Sequence, residues 1–330
     1  MILGIETSCD DTSAAVYDGR RLLSNVISTQ LIHRNFGGVV PELASRSHIP
    51  LILPVIRQAL DQAGISKSAI EGLAVTHGPG LAGSLLVGLS TAKGLSLGLG
   101  IPFAGINHLE GHIWANELAH PEIKPPFVVL IVSGGHTQVV HVPEWGTYRV
   151  LGRTRDDAAG EAFDKVGKLL EAGYPGGPVI ERLARDGDPE AVRFPRAYLG
   201  EDSLDFSFSG LKTAVLNFVR KHGLENVKKN LPNIAAGFQS AVLDVLVDKI
   251  LLAVRLTGVK TACLAGGVAA NRALQQRLLN TASQQGVSVF WPPPALCSDN
   301  AGMIARAGYF YLSRGDVSPQ DLSPRPALNL

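Results

Sequence analysis

The chain has 330 residues, long for one core where domains run to roughly 100–200 residues, so two lobes are expected. Hydrophobic residues make up 45% and charged residues 18%, which excludes a disordered or low-complexity protein. The formal net charge of +1 excludes recruitment of an acidic polymer by overall field, so any nucleic-acid contact must rest on local basic patches.

The start, MILGIETSCDD, lacks a basic n-region and turns acidic at once, unlike a secretory signal. Residues 2–8 predict a strand running into the polar turn CDDTS, followed by a strand at AAVYD, a hairpin turn at Gly19 and a third strand at RLLSNVIS. SHIPLILPVIRQALDQAG, residues 47–64, has apolar residues at helical spacing and stops at Gly64; GLAVTHGPG then reads as a strand into a turn. The apolar run 81–106 carries Lys93 mid-span and many small residues, which predicts a buried, glycine-packed helix rather than a membrane span. Residues 127–151 repeat the opening order of strand, polar turn, strand, tight turn and strand, with Ser133 falling on Ser8 and Thr137 on Thr12; a duplicated lobe follows. DDAAGEAFDKVGKLLEAG, 156–173, opens with aspartates suited to an N-cap and closes on glycine. After the turn YPGGP come a helix at 234–258, a strand at KTACLAGG, a helix from Asn271, a last helix near Ser298 and proline-spaced coil after Gly315. The alternation predicts an α/β protein of two similar lobes, 1–125 with 301–330 and 126–300, with a cleft where strand ends face each other. Cys9, Cys263 and Cys297 are scattered, with neither a CxxC zinc framework nor a disulfide set, which fits a reduced cytoplasm.

Three strands end in polar or glycine-rich turns: ETSCDDTS, VSGGHT and LAGGVAAN. Glycines let backbone N–H groups face an anion, although each turn taken alone reads more readily as a turn that needs glycine for its dihedrals. Neither the Walker A nor the GxGxxG spacing is present. Two matched turns plus a GG turn entering a helix are similar to the sugar kinase, heat-shock ATPase and actin superfamily, whose duplicated lobes clamp a nucleotide in the cleft.

NHLEGH, residues 107–112, places His108 and His112 on one helical face. Glu110 lies about 200° round, so the general base of an HExxH protease is missing. The pair forms a partial transition-metal site, or two histidines lining a helix without metal. A further ligand must come from elsewhere: Asp299 of CSDN is a candidate, or simply an N-cap.

Taken in order, IETSCDDTS, FGGVVPELASRSH, NHLEGH, LIVSGGHTQ, DDAAGEAFDKVGKLL, YPGGP, DFSFSGLKT, AGGVAANRAL and CSDNAGMIA resemble the TsaD family over nearly the whole chain. These are tRNA N6-adenosine threonylcarbamoyltransferases, formerly called O-sialoglycoprotein endopeptidases. Ile131, where an archaeal relative would carry a tyrosine ligand, points to the bacterial type. The resemblance implies a metal held by His108, His112 and Asp299, iron(II) first and zinc(II) second. It implies substrate contacts at Ile131, Val132, Ser133, Gly134 and Gly135, and adenylate contacts at Asp164, Gly177 and Asn271, although Asn271 can equally cap the helix it begins. The implied substrate is threonylcarbamoyl-adenylate, an ATP-type nucleotide ligand; the acceptor is tRNA, and the implied partners are a TsaB-like paralogue and a TsaE-like ATPase, with no membrane. Arg34, Arg46, His48, Arg153 and Arg155 are candidates for a phosphate-contacting patch, or ordinary surface charge, with Glu42 and Arg46 a simple i, i+4 pair. The serines of DFSFSG line the cleft or cap a helix from Leu211. Two rivals stay open: a metalloprotease, which needs a positioned base, and a small-molecule kinase, which needs no histidine-bound metal.

Overall fold

In the computed structural model the described residues are 1–200 and 202–330, the side chains of residues 34 and 35 excepted. An antiparallel meander opens the chain: β1 (Ile2–Glu6), β2 (Asp11–Tyr17) and β3 (Leu22–Thr29), turned at Gly19 with φ +92°. Then follow α1 (Pro41–Ala63), β4 (Gly72–Gly78), α2 (Ala82–Leu99), β5 (Phe103–Asn107) and α3 (His108–Ala119). β4 pairs parallel with β1 and β5 parallel with β4, giving the sheet order β3-β2-β1-β4-β5. α1 starts at Pro41 rather than at residue 47, because proline in the first turn has its φ preset and gives up an amide that has no helical partner anyway. Its buried stripe, Ala44, His48, Ile52, Val55, Ile56 and Ala59, covers β2 and β3. α2 has the length and apolar composition to cross a membrane, yet it packs on β4 and α1 with Leu85, Gly88, Leu89 and Ala92 buried. A Cβ on Gly88 would meet Thr7 Oγ1 at 2.3 Å, so the close contact with the end of β1 requires glycine there.

The second unit holds β6 (Phe127–Val132), β7 (Thr137–Glu144), β8 (Thr147–Arg153), α4 (Ala159–Leu169), α5 (Gly176–Ala184), α6 (Ser209–His222), α7 (Leu224–Lys228), α8 (Leu231–Thr257), β9 (Thr261–Ala265), α9 (Arg272–Ser283) and β10 (Ser288–Phe290). Its sheet runs β10-β9-β6-β7-β8, the first sheet's order with β6 in the place of β1. The repeat extends to register: adding 125 to the pairs Ile2↔Tyr17 through Glu6↔Ser13 gives Phe127↔Val142 through Ile131↔Gln138. All six residues of β6 are buried, as expected for a central strand covered on its faces, and α8 packs across it.

The aspartates before α4 do not cap it. α4 starts at Ala159, whose N–H is met by Thr137 Oγ1 at 2.9 Å. Asp156 instead crosses to the start of α6, where its carboxylate accepts from Phe208 N at 2.8 Å, Ser209 N at 3.3 Å and the hydroxyls of Ser207 and Ser209 at 2.5 and 2.8 Å. The DFSFSG serines thus donate to this cap. Burial would raise the Asp156 carboxyl, but these donors outweigh it and hold the group below its ordinary 3.8. Asp156→Ala is expected to cost about 1 kcal/mol in urea denaturation near neutral pH. A carboxyl depressed on folding stabilises above its unfolded pKa and loses that effect as pH falls through the folded value. Variant and wild type should therefore converge only below pH 3.8.

The chain then closes with α10 (Pro294–Cys297) and α11 (Ala301–Leu312). α10 packs on α3, and α11 on β1, β4 and α3, so the compact units are Met1–Glu122 with Pro293–Leu330, and Ile123–Pro292. The boundaries fall there rather than at 125/126 and 300/301, and Asp299 belongs to the first unit, not the second. α11 approaches the sheet closely: a Cβ on Gly4 would lie 2.4 Å from Ala301 O and one on Gly308 2.2 Å from Ala74 Cβ. The coil after Gly315 runs back along the sheet, with Ser318 N donating to Phe103 O at 2.8 Å and Asn107 Nδ2 to Asn329 O at 3.0 Å.

Candidate metal centre

β5 runs directly into α3, and Asn107 caps the junction by accepting from Leu109 N at 2.9 Å and Glu110 N at 3.4 Å. His108 is then the first helical residue, and His112 lies one turn on along the same face. Their rings sit edge to face with centroids 4.7 Å apart. Asn300 caps α11, accepting from Met303 N at 3.1 Å, so the neighbouring Asp299 is not the cap. Its Oδ1 lies 3.4 Å from His108 Nε2 and 3.3 Å from His112 Nε2. The structure therefore brings all three expected ligands together, one ligand atom from each within 4.8 Å of the others.

His112 is fully buried, and neither of its ring nitrogens has a hydrogen-bond partner among the described residues. An orphaned buried imidazole is costly, and a cation bound at Nε2 would satisfy it. Two imidazoles and a carboxylate are an N/O donor set suited to a divalent transition metal, so this cluster can coordinate one. Glu110 is turned elsewhere: its Oε1 accepts from Trp114 Nε1 at 3.3 Å and from Tyr311 OH at 2.7 Å. The protease reading thus lacks its base.

Reading the sequence missed Glu6. Wholly buried at the end of β1, it places Oε2 3.0 Å from His108 Nδ1. The available signal was a carboxylate closing an otherwise apolar strand. Burial pulls the His108 pKa down, but Asp299 and Glu6 on its two sides raise it well above the ordinary value. Burial likewise works against the Glu6 and Asp299 charges, yet His108 holds Glu6 below the usual carboxylate range and Asp299 well below it. His112, where burial dominates, is pushed down and favours the neutral ring that a metal needs.

In the second unit Ile131 and Val132 are 0% exposed within β6, where Ile131 is paired on both sides by β7 and β9. Ser133 closes a tight turn, its N–H donating to His136 O at 2.8 Å and its Oγ accepting from His136 N at 3.1 Å. Gly134 and Gly135 are exposed, and a Cβ on either would meet nothing within 4 Å. α4 touches this turn through Gly160, whose N–H donates to Ser133 O at 3.2 Å. Further along α4, Asp164 Oδ1 accepts from Gly176 N at 2.7 Å at the start of α5, beside the open Gly177. Asn271 caps α9 through Leu274 N at 3.0 Å and donates to Gln239 at 2.9 Å, the helix-capping alternative. The candidate basic patch loses His48, which is buried between Thr12 Oγ1 at 2.8 Å and Cys9 O at 2.9 Å. Arg46 is paired with Glu42 and Arg155 with Asp205, while the Arg34 side chain lies outside the described residues.

Component A of the Acidaminococcus fermentans (R)-2-hydroxyglutaryl-CoA dehydratase superposes with a TM-score of 0.56 at 17% identity, over 94% of this chain and 98% of that one. The ROK hexokinase from Thermus thermophilus does so with a TM-score of 0.51 at 18% identity, over 94% and 99%. The class is therefore the duplicated α/β fold of sugar kinases, heat-shock ATPases and actin. The model of the TsaD family, tRNA N6-adenosine threonylcarbamoyltransferase, matches residues 21–306. A tRNA N6-adenosine threonylcarbamoyltransferase of Clostridium perfringens (strain 13 / Type A) is 51% identical over 332 residues, spanning 100% of this chain and 98% of that protein. The chain belongs to the TsaD family.

Proposed function

We propose that the protein transfers the threonylcarbamoyl group from threonylcarbamoyl-adenylate to N6 of the adenosine beside the anticodon (position 37) in tRNAs that read codons beginning with A. The products are N6-threonylcarbamoyladenosine and AMP. The observation that carries the reading is the convergence of His108, His112 and Asp299 within 4.8 Å in a chain of this family. The N6 lone pair attacks the carbamoyl carbon and an N–C bond forms. The C–O bond to the adenylate phosphate breaks, AMP leaves with that electron pair, and one N6 proton passes to solvent.

His108, His112 and Asp299 would hold an iron(II) ion, or zinc(II), which when bound supplies a Lewis acid with open positions for substrate oxygens. Asn107 and Asn300 fix the two helix starts, so the ligand atoms are held by rigid elements. In the second unit the Ser133–Gly134–Gly135 turn offers main-chain N–H groups to phosphate or carbonyl oxygens, with Ile131 and Val132 anchoring the strand behind it. Asp164 accepts from ribose hydroxyls, Gly177 leaves room for the nucleotide, and Asn271 holds the α9 start that faces it.

The acceptor requires tRNA binding, and the family's work in a complex suggests a TsaB-like paralogue and a TsaE-like ATPase as partners. The exposed apolar side chains Ile49 and Leu53 on α1 and Leu86 and Leu97 on α2 support a protein partner on the first unit. Three free cysteines, two of them buried, support a cytoplasmic location. The test is reconstitution with partner proteins, ATP, threonine, bicarbonate and unmodified tRNA, followed by nucleoside mass spectrometry. The modified nucleoside is expected; its absence, with partners that serve a known relative in parallel, would refute the reading.

A further inference from the structure

We propose that Glu6 is the positioning residue for His108, fixing which ring nitrogen of that histidine is free to bind the ion; this rests on the metal-site reading above. Glu6 is 0% exposed, and each of its oxygens is met by donors. Oε1 accepts from Ser8 N at 2.5 Å; Oε2 accepts from Thr76 Oγ1 at 2.6 Å and faces His108 Nδ1 at 3.0 Å. An ionised carboxylate can only accept, so Nδ1 must carry the proton on that side. Nε2, 3.4 Å from Asp299 Oδ1, is then the nitrogen that gives up its proton when an ion binds. Such a carboxylate behind a metal-bound imidazole fixes the tautomer, turns the ring and raises its basicity. Ser8 N and Thr76 Oγ1 hold the carboxylate in place by donating to its two oxygens.

The hydrogen-bond polarity makes the idea testable with a near-isosteric change. In Glu6→Gln the Ser8 amide, which only donates, claims the side-chain oxygen. The NH2 group is left facing His108 Nδ1. Only the Ser8 hydroxyl, 3.1 Å from Nδ1, could then still accept its proton; without the carboxylate the ring proton is no longer held at Nδ1, and the tautomer protonated at Nε2, which cannot bind the ion there, gains population.

The experiment titrates metal-free protein with zinc(II) against a chromophoric chelator, and records the visible cobalt(II) spectrum as a reporter of ligand geometry. Wild type is expected to bind one equivalent. Glu6→Gln should bind about 10–100-fold more weakly, with a changed cobalt band. Glu110→Gln, at another buried carboxylate, on the metal-bearing helix and bonded to Trp114 and Tyr311, should lose stability but keep wild-type affinity and spectrum. Glu6→Asp keeps the charge but falls about 1.5 Å short of Nδ1, and should also weaken binding if Glu6→Gln does not fold. Wild-type affinity and spectrum in the Glu6 variants, with binding lost in His112→Ala, would overturn the positioning role and leave the metal site standing. Wild-type affinity in His112→Ala would overturn both.

Discussion

A His112→Ala variant is expected to fold, to lose its bound ion and to leave tRNA unmodified. Neither ring nitrogen of His112 has a hydrogen-bond partner among the described residues, and Asp299, 3.3 Å from Nε2, keeps His108 as its neighbour, so the structural cost is chiefly that of a cavity, about 2–3 kcal/mol. That is below the roughly 5–15 kcal/mol by which domains are stable. Removing one of three ligands should weaken binding by more than the about 10–100-fold typical of an outer partner. His108→Ala should give the same loss of transfer for a less clean reason. It also leaves the buried carboxylate of Glu6 without its counter-charge, a change that costs about 3–5 kcal/mol when a buried pair is broken. Metal content by mass spectrometry, thermal melting and nucleoside analysis would be read together. A His112→Ala protein with full metal content would refute the site.

Gly4→Ala should reach the same centre from behind. The added Cβ would lie 2.4 Å from Ala301 O and 2.8 Å from both Ala305 N and Ala305 Cβ, atoms of a helix that cannot yield singly. α11 must move off β1. Overpacking of this kind costs about 1–3 kcal/mol, and here the displaced helix begins two residues after Asp299. Urea denaturation should show the stability loss and zinc titration a weakened site. Gly94→Ala, at an open position on α2, should instead hold or raise stability by up to about 1 kcal/mol and leave metal binding alone. Equal behaviour of the two variants would contradict the close helix–sheet approach.

The duplication was legible because both copies keep a polar turn between two apolar strands, and the hydrogen-bonded register of that first strand pair turns out identical. The histidine pair was legible because helical spacing alone puts residues four apart on one face. Other features depend on contacts far along the chain. Asp156 looks like the cap of the helix that follows it, yet it serves α6 across 52 residues of sequence. In the sequence Asp299 falls at the end of the second lobe, but the helix that begins two residues after it packs on the first sheet. Glu6 offered a weak signal, since a polar residue ending a strand is common; only its burial against His108, 102 positions away, gives it meaning.

Shifting Glu6 by the 125 positions that relate the sheets lands on Ile131, a residue 0% exposed. The twin halves therefore share a skeleton but not a dielectric. One strand tip carries a buried acid beside an imidazole, while its counterpart carries a buried aliphatic side chain. This broken symmetry means the halves are not interchangeable: an Ile131→Glu graft would put an acid on a wholly buried strand, and is expected to disrupt the second half rather than endow it with a metal.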